Sequence, residues 1–196
     1  MLSEKKLFLF DIDGTVALGD VLLPGAAEFF QEIKERGGQF VFITNNSTKS
    51  IADYIKKFRQ MGVSTDPQNF VTASTASASW LRQHAAGKTI YTLGYVPDCG
   101  SICQMITNAT GQVPHYIGKP STDMVDIALR ENPFSKEETV IVGDRFYTDI
   151  ACGNASGVET VLVLTGEAKK TDTMIHTYSP TYIFDSIKEV KEAWKI

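Results

Sequence analysis

Cysteine is scarce in this chain. Cys99, Cys103 and Cys152 make an odd number, and no pair has CxxC spacing. That argues against a disulfide framework and against a cysteine zinc site, and it makes a reducing cytoplasm the expected compartment. The histidines His84, His115 and His176 are scattered and none stands beside a cysteine. Lysine and arginine never cluster beyond a pair, and the formal net charge is -4. A nucleic-acid partner is therefore not expected, because such proteins carry a basic patch. No apolar run approaches the length of a membrane span. Lys5-Lys6 before the apolar run Leu7–Phe10 faintly imitates a signal peptide, but that run is short and leads into Asp11. Repeats and low-complexity segments are also lacking.

What is present is ordinary globular composition, 43% hydrophobic and 21% charged over 196 residues. That supports one good core and is short for two, so residues 1–196 are read as a single domain. The apolar residues come in short unbroken runs: Leu7–Phe10, Phe40–Ile43, Thr89–Leu93, Thr139–Gly143, Thr160–Leu164 and a short Tyr182–Phe184. Runs without apolar/polar alternation are strands buried on both faces. Helical patterns separate them. One opens at Pro24-Gly25 with Phe29 and Ile33 inward. One follows Ser50, which has capping-box spacing to Asp53, with Ile51, Ile55 and Phe58 inward. Ala73–Gln83 offers a small-residue face, and later helices start near Ser121, Asp149 and Asp185. Thr15–Leu23 reads as a loop. The alternation predicts a doubly wound, Rossmann-like parallel sheet in a three-layer α/β/α arrangement.

The strand ends carry a particular set of polar residues. Asp11 and Asp13 follow the first strand, Thr44 and Asn45 the second, and Asp144 the fourth; Lys119 precedes a helix. In a parallel sheet such ends share one edge, where ligands bind. Transfer of a phosphoryl group needs a nucleophile, an acid for the leaving oxygen, a cation and fixed donors. Asp11 can serve as nucleophile and Asp13 as acid and then base. Asp11, Asp144 and the backbone around Asp13 can hold Mg²⁺, a hard ion that takes carboxylates, phosphate and water. Thr44 offers a hydroxyl, and Lys119 a point charge beside a helix start. Taken singly, each of these residues is equally well a turn residue, a solvated lysine or a helix-start acid. Their arrival in one order on one edge is what favours chemistry.

The motifs DxDGT (Asp11 to Thr15), TNNS (Thr44 to Ser47), GKP (Gly118 to Pro120) and GDRxxTD (Gly143 to Asp149) resemble those of the haloacid-dehalogenase-like hydrolases, and of their NagD and 4-nitrophenylphosphatase branch in particular. Thr110–Pro114 and Val163–Gly166 extend the likeness along nearly the whole chain. The resemblance implies Mg²⁺-dependent hydrolysis of a small phosphomonoester through an aspartyl-phosphate on Asp11, with Asp13 as acid/base. It implies Thr44, Asn45 and Lys119 on phosphate, Asp144 on the metal with Asp11 and Asp13, and Asp149 in support. Asp13 argues against dehalogenase and phosphonatase activity, since relatives with those activities lack the second acid. Pro120 after Lys119 excludes a P-loop.

One departure stands out. In this branch a cap domain is inserted after the third core strand. Here Thr92-Leu93-Gly94 runs at once into Tyr95–Ser101, which resembles the return from the cap, so the cap is expected to be missing at 94–95. Weak, broad specificity follows, because a lid excludes water and selects substrate. The alternative is a catalytically poor core that binds phosphate and Mg²⁺ or acts as an interaction module. The uncovered edge, with Tyr95 and Val96, is a place for self-association.

Overall fold

The run Leu7–Phe10 (β1) forms the middle of the sheet and is wholly buried. The computed structural model describes residues 1–87, 107–108, 110–113 and 115–195. The other strands are Ala17–Leu18 (β2), Val21–Leu22 (β3), Gln39–Thr44 (β4), Phe70–Thr72 (β5), Thr139–Gly143 (β6), Glu159–Val163 (β7) and Tyr182–Phe184 (β8). Six of them form one parallel sheet in the order β5-β4-β1-β6-β7-β8. Described helices are Ala26–Glu35 (α1), Ile51–Gln60 (α2), Ala73–His84 (α3), Asp123–Glu131 (α4), Ala151–Ser156 (α5), Met174–Tyr178 (α6) and Ile187–Trp194 (α7).

The period-2 geometry of a strand sends neighbouring side chains to opposite faces. Phe8, Phe10, Phe40 and Phe42 therefore meet α1, α2 and α7 on one side. Leu7, Leu9, Val41 and Ile43 meet Ala76 of α3, Met124, Val125 and Ala128 of α4 and Cys152 of α5 on the other. These two cores make the three layers expected. The first is aromatic: the Phe42 ring lies 4.3 Å from that of Phe58 and 5.3 Å from that of Phe70. The small-residue face of α3 lets that helix lie close to the sheet, with Ala76 buried. Among the described residues no helix is long and apolar enough to cross a membrane.

Local details differ from the sequence reading in physically simple ways. Phe70–Thr72 is an edge strand paired with β4, where Phe42 faces Phe70. Its three residues run straight into α3, so no apolar run marks it. The strand expected at Thr89–Leu93 lies outside the described residues, as does the join at 94–95. Thr15–Leu23 is not a plain loop: β2 and β3 pair antiparallel around Gly19-Asp20. The last helix is capped by Ser186, whose side chain accepts from Glu189 N, and not by Asp185. The helix after Ser121 begins one residue later, at a Thr122 cap whose hydroxyl donates to Asp126 Oδ2 at 2.8 Å and makes no capping bond to the backbone.

Ser50 does cap α2. Its Oγ accepts from Asp53 N at 3.2 Å, and Ser50 N donates to Asp53 Oδ2 at 3.0 Å. Ser50→Ala is expected to cost about 1 kcal/mol of folding free energy, read as a lower urea midpoint at unchanged slope.

Candidate active site

Asp11 stands one residue past β1, and its N donates to Val142 O at 2.9 Å, which continues the ladder to β6. Thr44 ends β4, and Asp144 follows Gly143 at the end of β6. The parallel pairing of β1 with β4 and β6 brings all three to one edge. Lys119 comes from the turn before α4 and reaches the same point.

Lys119 is buried, and its Nζ lies 2.6 Å from Asp11 Oδ1 and 2.6 Å from Asp149 Oδ1. Burial alone would lower the ammonium pKa. The carboxylates of Asp11 and Asp149 outweigh it and hold the group above the usual lysine range. Asn45 fixes the Lys119 backbone: Lys119 N donates to Asn45 Oδ1 at 2.8 Å, and Asn45 Nδ2 donates to Lys119 O at 2.7 Å. Gly118 lies beneath this clamp at φ +120°, where a Cβ would stand 2.9 Å from Asn45 Oδ1. The Asn45 amide thus lines the cleft with both ends already engaged.

Asp144 is 2% exposed. Its Oδ2 accepts from Glu167 N at 2.7 Å, whereas Oδ1 is buried with no hydrogen-bond partner. Burial pushes its pKa up, the Glu167 N–H opposes this, and the nearby Asp11 charge adds to the rise. Gly166 makes room for it, since a Cβ there would stand 2.0 Å from Asp144 Oδ2. Asp149 is also buried. Besides Lys119, it accepts from Arg145 N and Thr148 Oγ1, each at 3.2 Å to Oδ2. Burial raises its pKa, and Lys119 pulls it back. Both pKa values are thus raised, which favours the charged form of Lys119 and the neutral form of Asp149. The ammonium is shared between two carboxylates, so the geometry favours a charged Lys119 over a neutral pair.

Carboxylate oxygens of Asp11, Asp144 and Asp149 lie within 4.8 Å of one another. Asp13, expected with Asp11 and Asp144 at a metal, has its carboxylate outside this group. It is 55% exposed and faces Lys57 Nζ at 3.6 Å. The cleft, about 220 Å³, also brings in Asn46, Arg145 and Thr148, which the sequence reading did not single out. Arg145 and Thr148 sit inside the GDRxxTD motif. Lys57 sits on the buried stripe of α2 between Tyr54 and Phe58, and a lysine in such a stripe is a signal in itself. A larger groove of about 380 Å³, by Phe30, Lys34 and Val63, lies apart from these residues and includes none of them.

A parallel α/β sheet with clustered carboxylates and a buried lysine at its carboxyl edge defines a Rossmann-like core of the kind that binds its ligands at that edge. The chain belongs to the haloacid dehalogenase-like hydrolase family: residues 8–111 match that family's model, and residues 116–190 match a second one, HAD-hydrolase-like. It is 29% identical to the ribonucleotide monophosphatase NagD of Escherichia coli (strain K12) over 244 residues, covering 94% of this chain and 98% of that one. It is 25% identical to the dihydroxyacetone phosphatase of Corynebacterium glutamicum over 250 residues, covering 95% and 91%. Among solved structures, the 4-nitrophenylphosphatase of Thermotoga maritima superposes with a TM-score of 0.86 at 30% identity, covering 98% of each chain. Both sequence alignments are longer than the 196 residues of this chain, so within the matched span the relatives carry residues that it lacks.

Proposed function

We propose that this chain is a Mg²⁺-dependent phosphomonoester hydrolase that works through Asp11. The observation that carries the reading is the Asp11, Asp144 and Asp149 cluster, with oxygens within 4.8 Å, around a buried lysine. In this reading the Asp11 carboxylate attacks phosphorus, and the bond to the leaving oxygen breaks as Asp13 gives that oxygen a proton. Asp13 then takes a proton from water, whose oxygen attacks the phosphoryl group, and Asp11 and inorganic phosphate are released. Lys119 holds Asp11 in place and adds positive charge beside the phosphoryl oxygens. Thr44 lines the same cleft, its hydroxyl accepting from Asn46 N at 3.1 Å, with Asn45 clamping the Lys119 loop.

The residues fit a hard cation. The donors are all oxygen, and Asp144 Oδ1 is buried without a partner, a costly state that a cation relieves. Asp11 and Asp144 would hold it, with the backbone near Asp13, and Asp149 in support. When bound, the ion neutralises charge on the transferring phosphoryl group. The names of the phosphatase relatives support the substrate class.

The reading includes a missing cap, supported by alignments that exceed the length of the chain. It places the protein in the cytoplasm, acting on small phosphomonoesters with broad preference. The test is 4-nitrophenyl phosphate turnover with Mg²⁺ and with chelator. Chelation is expected to cut the rate at least about 100-fold, and excess Mg²⁺ to restore it. An equal rate under both conditions overturns the proposal, and phosphate binding without turnover would favour a binding module instead.

A further inference from the structure

Lys57 is buried on α2 although it is charged, and a buried ammonium needs partners. Its Nζ stands 3.6 Å from Asp13 Oδ1 and 3.9 Å from Asp20 Oδ1 at the turn of the β2–β3 hairpin. Among the described residues Lys57 is the only cation within ion-pair distance of the Asp13 carboxylate. The same helix braces the neighbouring loop, for Tyr54 OH donates to Asn46 O at 3.4 Å. One helix therefore touches both polar loops of the cleft: the end of β4 through Tyr54, and the Asp13 loop with its hairpin through Lys57.

The Asp13 side chain needs such a hold. It is half exposed and lies outside the Asp11–Asp144–Asp149 cluster. Its backbone is fixed by the bridge to Ala17, with Gly14 N donating to Ala17 O at 2.9 Å. Beyond that backbone, the described tie on the carboxylate is the Lys57 ammonium. A general acid must be aimed at the leaving oxygen to deliver its proton.

We infer that Lys57 is a positioning residue that aims the Asp13 carboxyl at the leaving group and locks the hairpin beside it. The inference rests on the acid role proposed for Asp13. It predicts a dependence on the leaving group. An alkoxide leaves only when protonated, whereas 4-nitrophenolate leaves without help. kcat/KM reports the steps through departure of the leaving group, so it isolates this effect from the later attack of water.

The experiment compares kcat/KM for 4-nitrophenyl phosphate and for an alkyl phosphomonoester in wild type, Lys57→Met, Lys57→Arg and Asp13→Asn. Lys57→Met is expected to lose about tenfold or more on the alkyl ester and less than about threefold on the aryl ester. Lys57→Arg, which keeps the cation, is expected to restore most of the alkyl-ester rate. Asp13→Asn should show the same selectivity in a stronger form. If Asp13→Asn discriminates between the esters and Lys57→Met does not, the Lys57 inference fails and the acid role stands. If neither discriminates, the acid role fails and takes the inference with it. Should Lys57→Met not fold, Lys57→Gln carries the same test, since it keeps a polar group in the buried position without its charge.

Discussion

Replacing Lys119 with methionine is expected to lower folding stability by about 3–5 kcal/mol at neutral pH in the absence of divalent metal. Methionine keeps much of the length and volume of the lysine stem, so packing changes little. What is lost is the ammonium 2.6 Å from both Asp11 and Asp149. Asp149 is 1% exposed at its side chain and cannot recruit water in place of that partner. Burial then raises the Asp149 pKa with nothing to oppose it except the Arg145 N–H and the Thr148 hydroxyl. The sign of the pH dependence follows. Protonating Asp149 removes an unpaired buried charge, so the deficit against wild type shrinks as pH falls through the raised pKa of that carboxyl. Added Mg²⁺ should also shrink it, by supplying a cation to the same carboxylates. Urea unfolding at two pH values, with and without Mg²⁺, reads all three effects. A loss below about 1 kcal/mol would mean that the pair behaves like an exposed one.

Asp11→Asn is expected to abolish turnover, by roughly 10⁴-fold or more in kcat, with little loss of fold. The amide keeps the shape of the carboxylate, and its oxygen can still accept from Lys119. It cannot act as the anionic nucleophile. The loss should be similar for aryl and alkyl esters, which separates it from the Lys57 and Asp13 variants, where the leaving group matters. Stability measured beside the assay shows whether inactivity reflects chemistry or unfolding. A variant that keeps more than about a tenth of the wild-type rate would remove Asp11 from the role of nucleophile.

Much of this could be read before any coordinates because the central strands announce themselves. Leu7–Phe10 and Thr139–Gly143 are unbroken apolar runs, and each ends in an acid, so their pairing and the shared edge follow from fold rules. Phe70–Thr72 could not be read in this way. It is a strand because β4 offers its edge to it, and its three residues merge with α3. The β2–β3 hairpin is equally short, with its ladder confined to two residues on each side.

Within the site, the types of residue were legible and their partners were not. Lys119, Asp11 and Asp149 lie far apart in the chain, and nothing local says that one ammonium bridges both acids. Nor does the DxDGT spelling say that the two carboxylates part company. The first turns inward to Lys119 and the second outward to Lys57. The divergence follows from the geometry after β1. Gly14 takes a positive φ of +88°, and a Cβ there would strike Asp144 Oδ2 at 2.6 Å. The chain therefore turns tightly at this point. The separation gives the two acids different environments, which suits a nucleophile and an acid/base with distinct tasks.

The most direct test of the account is to quench the reaction in acid during turnover of a phosphomonoester with Mg²⁺ and map the peptides by mass spectrometry, with borohydride reduction to mark the acyl phosphate. The account predicts homoserine in place of Asp11 after reduction, where hydride has displaced the phosphoryl group, with this mark absent with chelator and absent in Asp11→Asn. A phosphoryl group on another residue, or full turnover with none trapped on Asp11 at any time, would contradict it.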